Sequence, residues 1–351
     1  MSKRKSDTLN IGMIGAGGIA GLHVDCLKKI AGVNVLAACD VAEKSVKNTA
    51  EKYDIPHTFT DYKELLKMKE LDAVSVCTPN FFHAEPTIAA LEAGKHVMVE
   101  KPMAMNAKEA QAMVDAAKKA KRLLVIGFQH RYSPSAQTLK RMVNDDRLGK
   151  ILYVRCQALR RRGIPNWGVF GRKELQGGGP MIDIGVHILE TAHYVMGQPR
   201  PVAASGQCYT YLGDKKSDVV SQWPNWDFKT YSVEDLAVGM VRFDNGATLV
   251  IESSFAAHIE KDLFTFTIMG EKGGACFDPL KVFTDLSGTM VNVEPSYVGS
   301  DNMWNLKMRD WVESIRTGKK PTSPGEDGLV VQKMLDGVYK SSEAGKEVRI
   351  N

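Results

Sequence analysis

Apolar residues fall along this chain in two rhythms. Through the first 126 residues, short apolar runs alternate with stretches whose apolar positions recur every three to four residues, the grammar of βαβ units around a parallel sheet. The runs predict strands at 9–14, 33–39, 73–77, 96–99 and 123–126, and the helical rhythm predicts helices near 18–30, 42–53, 62–67, 83–93 and 107–121. After Gly127 the pattern changes to a helix near 133–144 and then to alternating runs at 151–159, 233–243, 247–255 and 264–269. Asp244-Asn245-Gly246 and Gly270-Glu271-Lys272-Gly273-Gly274 suit antiparallel hairpin turns. Two last helical patterns, 304–316 and 328–344, are expected to pack back near the junction. The reading is an α/β chain of two domains. Residues 1–127 form a doubly wound nucleotide-binding domain with ligands at the carboxyl ends of its strands, and residues 128–351 form an α/β domain on an open, predominantly antiparallel sheet.

Length agrees, since 351 residues exceed what one ordinary core holds. With 44% hydrophobic and 25% charged residues the composition is that of a globular protein, which excludes disorder beyond the first few positions. The net charge of +5 is spread along the chain, and the one basic cluster at an end, Lys3-Arg4-Lys5, reads as a solvated tail, so no nucleic-acid partner is expected. Cys26, Cys39, Cys77, Cys156, Cys208 and Cys276 form no C-x-x-C pair and no Cys/His grouping; they read as small buried hydrophobes, and no metal is expected. No signal peptide precedes the first strand and no apolar run approaches the roughly 20 residues of a membrane helix. The expectation is a cytoplasmic, reduced protein without a membrane partner.

Candidate chemistry begins at Gly15-Ala16-Gly17-Gly18-Ile19-Ala20, directly after a strand and before a helix. Gly15 permits the tight turn, Gly17 lets the backbone approach a pyrophosphate, Gly18 and Ile19 open the helix whose N-terminus attracts phosphate, and Ala20 allows close helix–strand packing. Asp40 ends the second strand, where a carboxylate accepts hydrogen bonds from both ribose hydroxyls and repels a 2′-phosphate. NAD is therefore favoured, with NADP left open because Lys44 and Ser45 stand close in sequence. The plainer alternative is a glycine turn with Asp40 capping the chain from Ala42 onward. In Cys77-Thr78-Pro79-Asn80-Phe81-Phe82-His83, the polar Thr78, Asn80 and His83 fall where the nicotinamide half should pass; the alternative is a strand-to-helix turn capped by Asn80. Lys101 sits between Glu100 and Pro102 at a strand's carboxyl end, where its amine could bond a substrate hydroxyl and share in its proton transfer, and Glu100 is read as a cofactor contact. The bland reading of Lys101 is a solvated surface lysine. Asp183 and His187 are four residues apart, on one face if the stretch is helical. Together with Lys101 they could run a proton relay, or they could be a helix cap and a core histidine after a glycine loop at 177–179.

Gly15-Ala16-Gly17-Gly18-Ile19-Ala20, Glu100-Lys101-Pro102 and Gly177-Gly178-Gly179-Pro180-Met181-Ile182-Asp183-Ile184-Gly185-Val186-His187 together resemble the Gfo/Idh/MocA oxidoreductase family along nearly the whole chain. The resemblance implies an N-terminal Rossmann domain, a C-terminal α/β domain with an open sheet, and oxidation or reduction of sugar or cyclitol hydroxyls with NAD or NADP. It also implies that Lys101 hydrogen-bonds the reacting hydroxyl, that His187 accepts its proton and that Asp183 binds the substrate.

The stretch Ala158-Leu159-Arg160-Arg161-Arg162-Gly163-Ile164-Pro165-Asn166-Trp167-Gly168-Val169-Phe170, with Tyr231-Ser232-Val233-Glu234-Asp235 and Glu252-Ser253-Ser254-Phe255-Ala256, resembles the D-glucoside 3-dehydrogenase branch of the family, which oxidises a glucoside C3 hydroxyl to a keto sugar. Inositol and levoglucosan dehydrogenases share much of that framework. A neutral polyol needs several donors and an aromatic face, which Arg161, Arg162, Asn166 and Trp167 offer on one loop. Trp167 could instead cover the nicotinamide, and the arginines could simply solvate a strand end. Within Gln129-His130-Arg131, Arg131 is the expected cofactor contact, against a structural hinge. Alternating apolar residues along 238–243 and 249–255 are expected to be buried on both sides, implying a homodimer or homotetramer through the C-terminal sheet. Two other classes stay open: a lyase or hydrolase that recycles its NAD, and a sugar- or dinucleotide-binding protein without turnover.

Overall fold

A computed structural model describes residues 8–351, so Lys3-Arg4-Lys5 lies outside the described residues. In β1 (Leu9–Ile14) every residue but Asn10 is buried. There follow α1 (Gly18–Leu27), β2 (Val33–Cys39), α2 (Glu43–Tyr53), β3 (His57–Phe59), α3 (Tyr62–Leu66), β4 (Ala73–Val76), α4 (Ala84–Glu92), β5 (His96–Val99), α5 (Ala107–Ala120) and β6 (Leu124–Ile126). The strands form one parallel sheet in the order β3-β2-β1-β4-β5-β6. Helices on both faces explain why β4 and β6 are buried at every residue rather than at alternate ones. The strand order reverses between β1 and β4, the position at which doubly wound sheets bind their ligands. Edge strand β3 escaped the sequence pattern because it has three residues, none of them buried.

The second unit holds α6 (Pro134–Asn144), started by the Ser133 hydroxyl accepting the Ala136 N–H, then β7 (Ile151–Leu159) and the short α7 (Lys173–Gln176). A π-helical turn, Met181–Gly185, runs directly into α8 (Val186–Val195). Strands β8 (Pro201–Tyr209), β9 (Leu236–Phe243), β10 (Thr248–Ser254), β11 (Leu263–Gly270), β12 (Gly274–Cys276), β13 (Lys281–Leu286) and β14 (Thr289–Val293) come next. After α9 (Met303–Thr317) and α10 (Gly325–Ala344), β15 (Val348–Arg349) completes a nine-stranded sheet in the order β14-β13-β12-β11-β7-β10-β9-β8-β15. All its pairs are antiparallel except β7 with β10. One face is closed by α10, which lies so near that a Cβ at Gly206 or Gly239 would stand 2.7 or 2.6 Å from Val338. The expected burial of both faces is not met within the single chain: Ala237, Val241, Leu249 and Ile251 are buried, while Val238, Met240, Val250 and Glu252 between them stay partly open.

The two compact units are not consecutive. One comprises Met1–Gln129 with Asn302–Leu329, the other His130–Asp301 with Val330–Asn351, which corrects a second domain running unbroken over 128–351. The cause is the apolar stripe Met308, Trp311, Val312 and Ile315 on α9, spaced three and four residues apart, which packs into the first unit's core with Val24 and Leu27 of α1. Of the cysteines, Cys26, Cys39, Cys77 and Cys156 are buried as expected, whereas Cys208 and Cys276 are only half-buried. Among the described residues no helix is long and apolar enough to cross a membrane.

Candidate functional site

The first unit carries a crevice at its switch point. Gly15 has φ +95°, and a Cβ there would lie 2.7 Å from the carbonyl carbon and oxygen of Cys77, so the turn between β1 and α1 accepts only glycine. Gly17 caps α1 with an ordinary φ of −80°. A Cβ at Gly17 or Gly18 would meet nothing within 4 Å. Open ground therefore lies before a helix N-terminus whose first N–H groups lack intrahelical partners, which fits a dinucleotide's pyrophosphate. Ile19 packs partly buried against the core and Ala20 is fully buried beneath it. Asp40 accepts the Ala16 N–H at 2.8 Å with one oxygen and the Ala42 N–H at 2.9 Å with the other. It thus caps the approach to α2 and also ties down the glycine loop, and each oxygen keeps a lone pair for a ribose hydroxyl.

Beyond β4, the Thr78 hydroxyl donates to Phe82 O at 2.8 Å, and Asn80 opens a 3₁₀ turn, Asn80–Phe82, while His83 occupies the cap position of α4. His83 corrects the expectation of a cofactor contact. It is buried, with Nδ1 2.7 Å from Pro102 O and Nε2 2.8 Å from Thr78 O, so it staples the loops after β4 and β5 to each other. Burial pushes its pKa down, against the pull of the two carbonyls.

Glu100 is a second correction. Its carboxylate is buried, accepting from Lys307 Nζ at 2.7 Å and the Lys101 N–H at 3.2 Å, with His23 Nε2 at 2.9 Å, and so is spent inside the protein. Burial, then the Lys307 charge, push His23 down to about 4 against the opposing pull of Glu100. A neutral ring carries one proton, which either faces Glu100 or sits on Nδ1 toward Ser75 Oγ at 2.9 Å. A histidine kept neutral when folded is costly in acid, because the unfolded chain takes up the proton first, from pH 6.5 downward. Stability is therefore expected to fall as pH drops from 6.5 toward about 4, by up to about 3 kcal/mol from this ring. Glu100, held low when folded, adds a loss below its ordinary 4.5. Thermal melting across this range checks it: His23→Gln should flatten the upper part of the fall, and a parental slope in that variant would refute the assignment.

The second unit holds a cavity of about 600 Å³ whose walls include Asp183, His187, His130, Arg160, Trp167 and Phe264. Asp183 lies in the π-helical turn and His187 in the first turn of α8, and both side chains line this cavity, as their spacing implied. Single π turns recur at functional sites. This one is held by Glu234, whose buried carboxylate accepts the Gly179 N–H at 2.8 Å, the Met181 N–H at 3.2 Å and the Tyr339 hydroxyl at 2.8 Å. Ser253 adds a bond to Pro180 O at 2.8 Å. The glycine run is thus a close-packing device: a Cβ at Gly179 would fall 2.0 Å from Glu234 O, and one at Gly178 2.1 Å from the Tyr339 hydroxyl.

Arg131, expected to touch the cofactor, is instead engaged inside its own unit. Fully buried, its Nε bonds Glu190 at 2.7 Å and its guanidinium lies 4.9 Å from the centre of the Tyr194 ring, because a guanidinium without solvent must be neutralised internally. The cavity residue from that segment is His130, whose ring meets His187 edge-on at 5.1 Å and Phe264 at 5.0 Å. Arg161, Arg162 and Asn166 also differ from expectation, since none lines the cavity. Arg161 bonds the Asp262 carboxylate through its N–H and Glu260 O through its guanidinium, and Asn166 donates to Pro224 O at 2.7 Å, so both brace the loop. Arg162 buries Nη1 with no hydrogen-bond partner among the described residues. Trp167 does reach the cavity; it is 48% exposed and held edge-on by Trp223 at 4.7 Å and Phe170 at 5.9 Å. Arg160 packs on the Trp223 ring at 4.9 Å. Trp223 and Glu234 carried no signal of their role because their partners are 53 or more residues away in sequence.

Residues 9–128 match the family model described as an oxidoreductase family with an NAD-binding Rossmann fold, and residues 136–276 match the GFO/IDH/MocA C-terminal domain. A D-glucoside 3-dehydrogenase of Escherichia coli is 36% identical over 351 residues, with 99% of each chain covered. A myo-inositol 2-dehydrogenase of Thermotoga maritima is 28% identical, covering 97% of this chain and 98% of that one. The crystal structure of an oxidoreductase domain protein from Kribbella flavida superposes with a TM-score of 0.86 at 28% identity, covering 98% and 99%.

Proposed function

Because the chain belongs to the Gfo/Idh/MocA oxidoreductase family, we propose that it is an NAD-dependent dehydrogenase oxidising a secondary hydroxyl, at C3, of a glucoside or closely related sugar. The observation that carries this reading is the joint placement of Asp183, His187 and the braced, half-exposed Trp167 on one cavity of about 600 Å³. That set suits a pyranose: a carboxylate to accept from its hydroxyls, an imidazole to take a proton and an aromatic face for its C–H side.

In the proposed reaction His187 takes the hydroxyl proton while Lys101 donates a hydrogen bond to the same oxygen and stabilises the developing alkoxide. Asp183 holds the ring through a neighbouring hydroxyl. The carbon loses its hydrogen as hydride, for which NAD, when bound, is the acceptor. The glycine loop, Asp40, Thr78 and Asn80 hold the cofactor, with the carboxylate of Asp40 favouring NAD over NADP. We further place the enzyme in the cytoplasm, as a homo-oligomer joined through the partly open face of its nine-stranded sheet.

Reduced-nicotinamide absorbance, measured with NAD and NADP separately across methyl glucosides, a disaccharide, glucose, levoglucosan and myo-inositol, tests the reading. NADH should accumulate with glucosides. A response to inositol alone would overturn the substrate, and product formation without net NADH would mean a lyase or hydrolase that recycles its cofactor. Trp167→Ala should raise KM for glucosides about 3–10-fold with little change in kcat, as expected from losing an aromatic face worth about 1 kcal/mol.

A further inference from the structure

We propose that Lys307, on α9, is a positioning residue for Lys101, acting through the carboxylate of Glu100. The inference rests on the reading that Lys101 bonds the reacting hydroxyl.

The side chain of Lys307 is completely buried, 207 residues away in sequence from the carboxylate it meets at 2.7 Å. An ammonium removed from water is tolerated only where it is paired and hydrogen-bonded. Here Glu100 Oε1 and His23 Nε2, at 2.7 and 3.1 Å, surround it, and the Trp304 ring centre lies 4.4 Å away, a cation–π contact. Glu100 directly precedes Lys101, and its second oxygen accepts the Lys101 N–H at 3.2 Å. The end of β6 is shaped around the same carboxylate: a Cβ at Gly127 would come within 2.5–2.9 Å of three of its atoms. One anion is thus gripped by a lysine, approached by an imidazole and seated in a glycine notch, while its free side anchors the backbone from which Lys101 projects.

The groups facing Glu100 are His23 on α1, Cys77 after β4, His83, Lys101 and Lys307. Burial alone would raise the Glu100 carboxyl; the Lys307 charge and the His23 and Lys307 hydrogen bonds together hold it well below the usual range. Burial holds the Cys77 thiol up near 12 and His23 down near 4, so neither supplies a charge at neutral pH. Without Lys307, burial would favour the protonated carboxyl, and a neutral acid is a weaker hydrogen-bond acceptor than a carboxylate. The bond from Glu100 Oε2 that anchors the Lys101 backbone would then weaken.

Lys307→Met tests this in the full-length enzyme. Expected is a fall in kcat of about 10–100-fold at neutral pH, the size of effect that a displaced reacting group causes, with NADH affinity, read by fluorescence titration, close to the parental value. The ratio of variant to parental kcat should climb with pH, because Glu100 ionises above its raised pKa. In Glu100→Gln/Lys307→Met, which has no buried acid to titrate, that ratio should be low and flat. Parental kcat in Lys307→Met, a pH-independent ratio in that variant, or parallel loss of NADH affinity would overturn the proposal. If the single variant fails to fold, the double variant, free of buried unpaired charge, is decisive: a reduced kcat with retained NADH affinity supports the proposal and parental kcat refutes it. A parent enzyme that oxidises no sugar would remove the reading of Lys101 and this inference with it, whereas a turning-over parent matched by its variant would sink the inference alone.

Discussion

His187→Ala is expected to lower kcat for a glucoside by about 10²–10⁴-fold, the contribution of a positioned general base, while the melting temperature stays near the parental one. The separation of the two effects follows from where the residue sits. His187 lies in the first turn of α8, half-buried on the cavity wall, and its backbone carbonyl accepts the Thr191 hydroxyl at 2.7 Å, a bond that alanine keeps. Alanine is also the better helix former. Lys101→Met should give a loss of similar size, since methionine retains the apolar stem and removes only the ammonium; Asp183→Asn should cost less, because an amide still bonds a sugar hydroxyl. None of the three should weaken NADH binding more than a few-fold if they act on the sugar. Steady-state kinetics with fluorescence titration checks all of this at once, and near-parental turnover in all three would end the assignment.

What the sequence showed and what it hid divide along the range of the interactions concerned. Strands at 9–14, 33–39, 96–99 and 151–159 were legible because each is an apolar or alternating run whose cause is local. Strand β8 was not: Pro201–Tyr209 is made mostly of small and polar residues, and it packs because Gly206 admits Val338 of α10, more than 130 residues on. The same holds at the site. Asp183 and His187 could be paired from their spacing, and the glycine loop from its context. The internal partners of Arg131 and Glu100 were hidden because charge type says nothing of a buried partner 59 or 207 residues distant. The cavity role of His130 and the bracing by Trp223 depend on rings brought together by the fold, for which no periodicity exists.

Gly17→Ala and Gly179→Ala are the same chemical change and are expected to fail in opposite ways. At Gly17 the backbone has φ −80°, open to any residue, and the added methyl would meet nothing within 4 Å. Folding should be unharmed or slightly favoured, since alanine restricts the unfolded chain. The methyl would stand in the space before the α1 N-terminus, so NAD affinity should fall by at least about tenfold, roughly the 1.4 kcal/mol of one excluded close contact. At Gly179 the methyl would lie 2.0 Å from the backbone oxygen of Glu234 and 3.1 Å from its carbonyl carbon, neither of which can swing aside as a flexible side chain would. Either the turn or the segment before β9 must move, which strains the carboxylate bonds from Gly179 and Met181 and leaves a buried acid under-satisfied. Overpacking and weakened charged hydrogen bonds together amount to about 3 kcal/mol or more, or about 6–12 °C in melting temperature for a unit of this size. Asp183 and His187 ride on the displaced turn, so turnover should fall with stability while NADH binding, built on the other unit, survives. Melting curves and NADH titrations of the two variants form a crossed pair, and loss of cofactor affinity in both, or of stability in both, would contradict this division of labour between the two glycines.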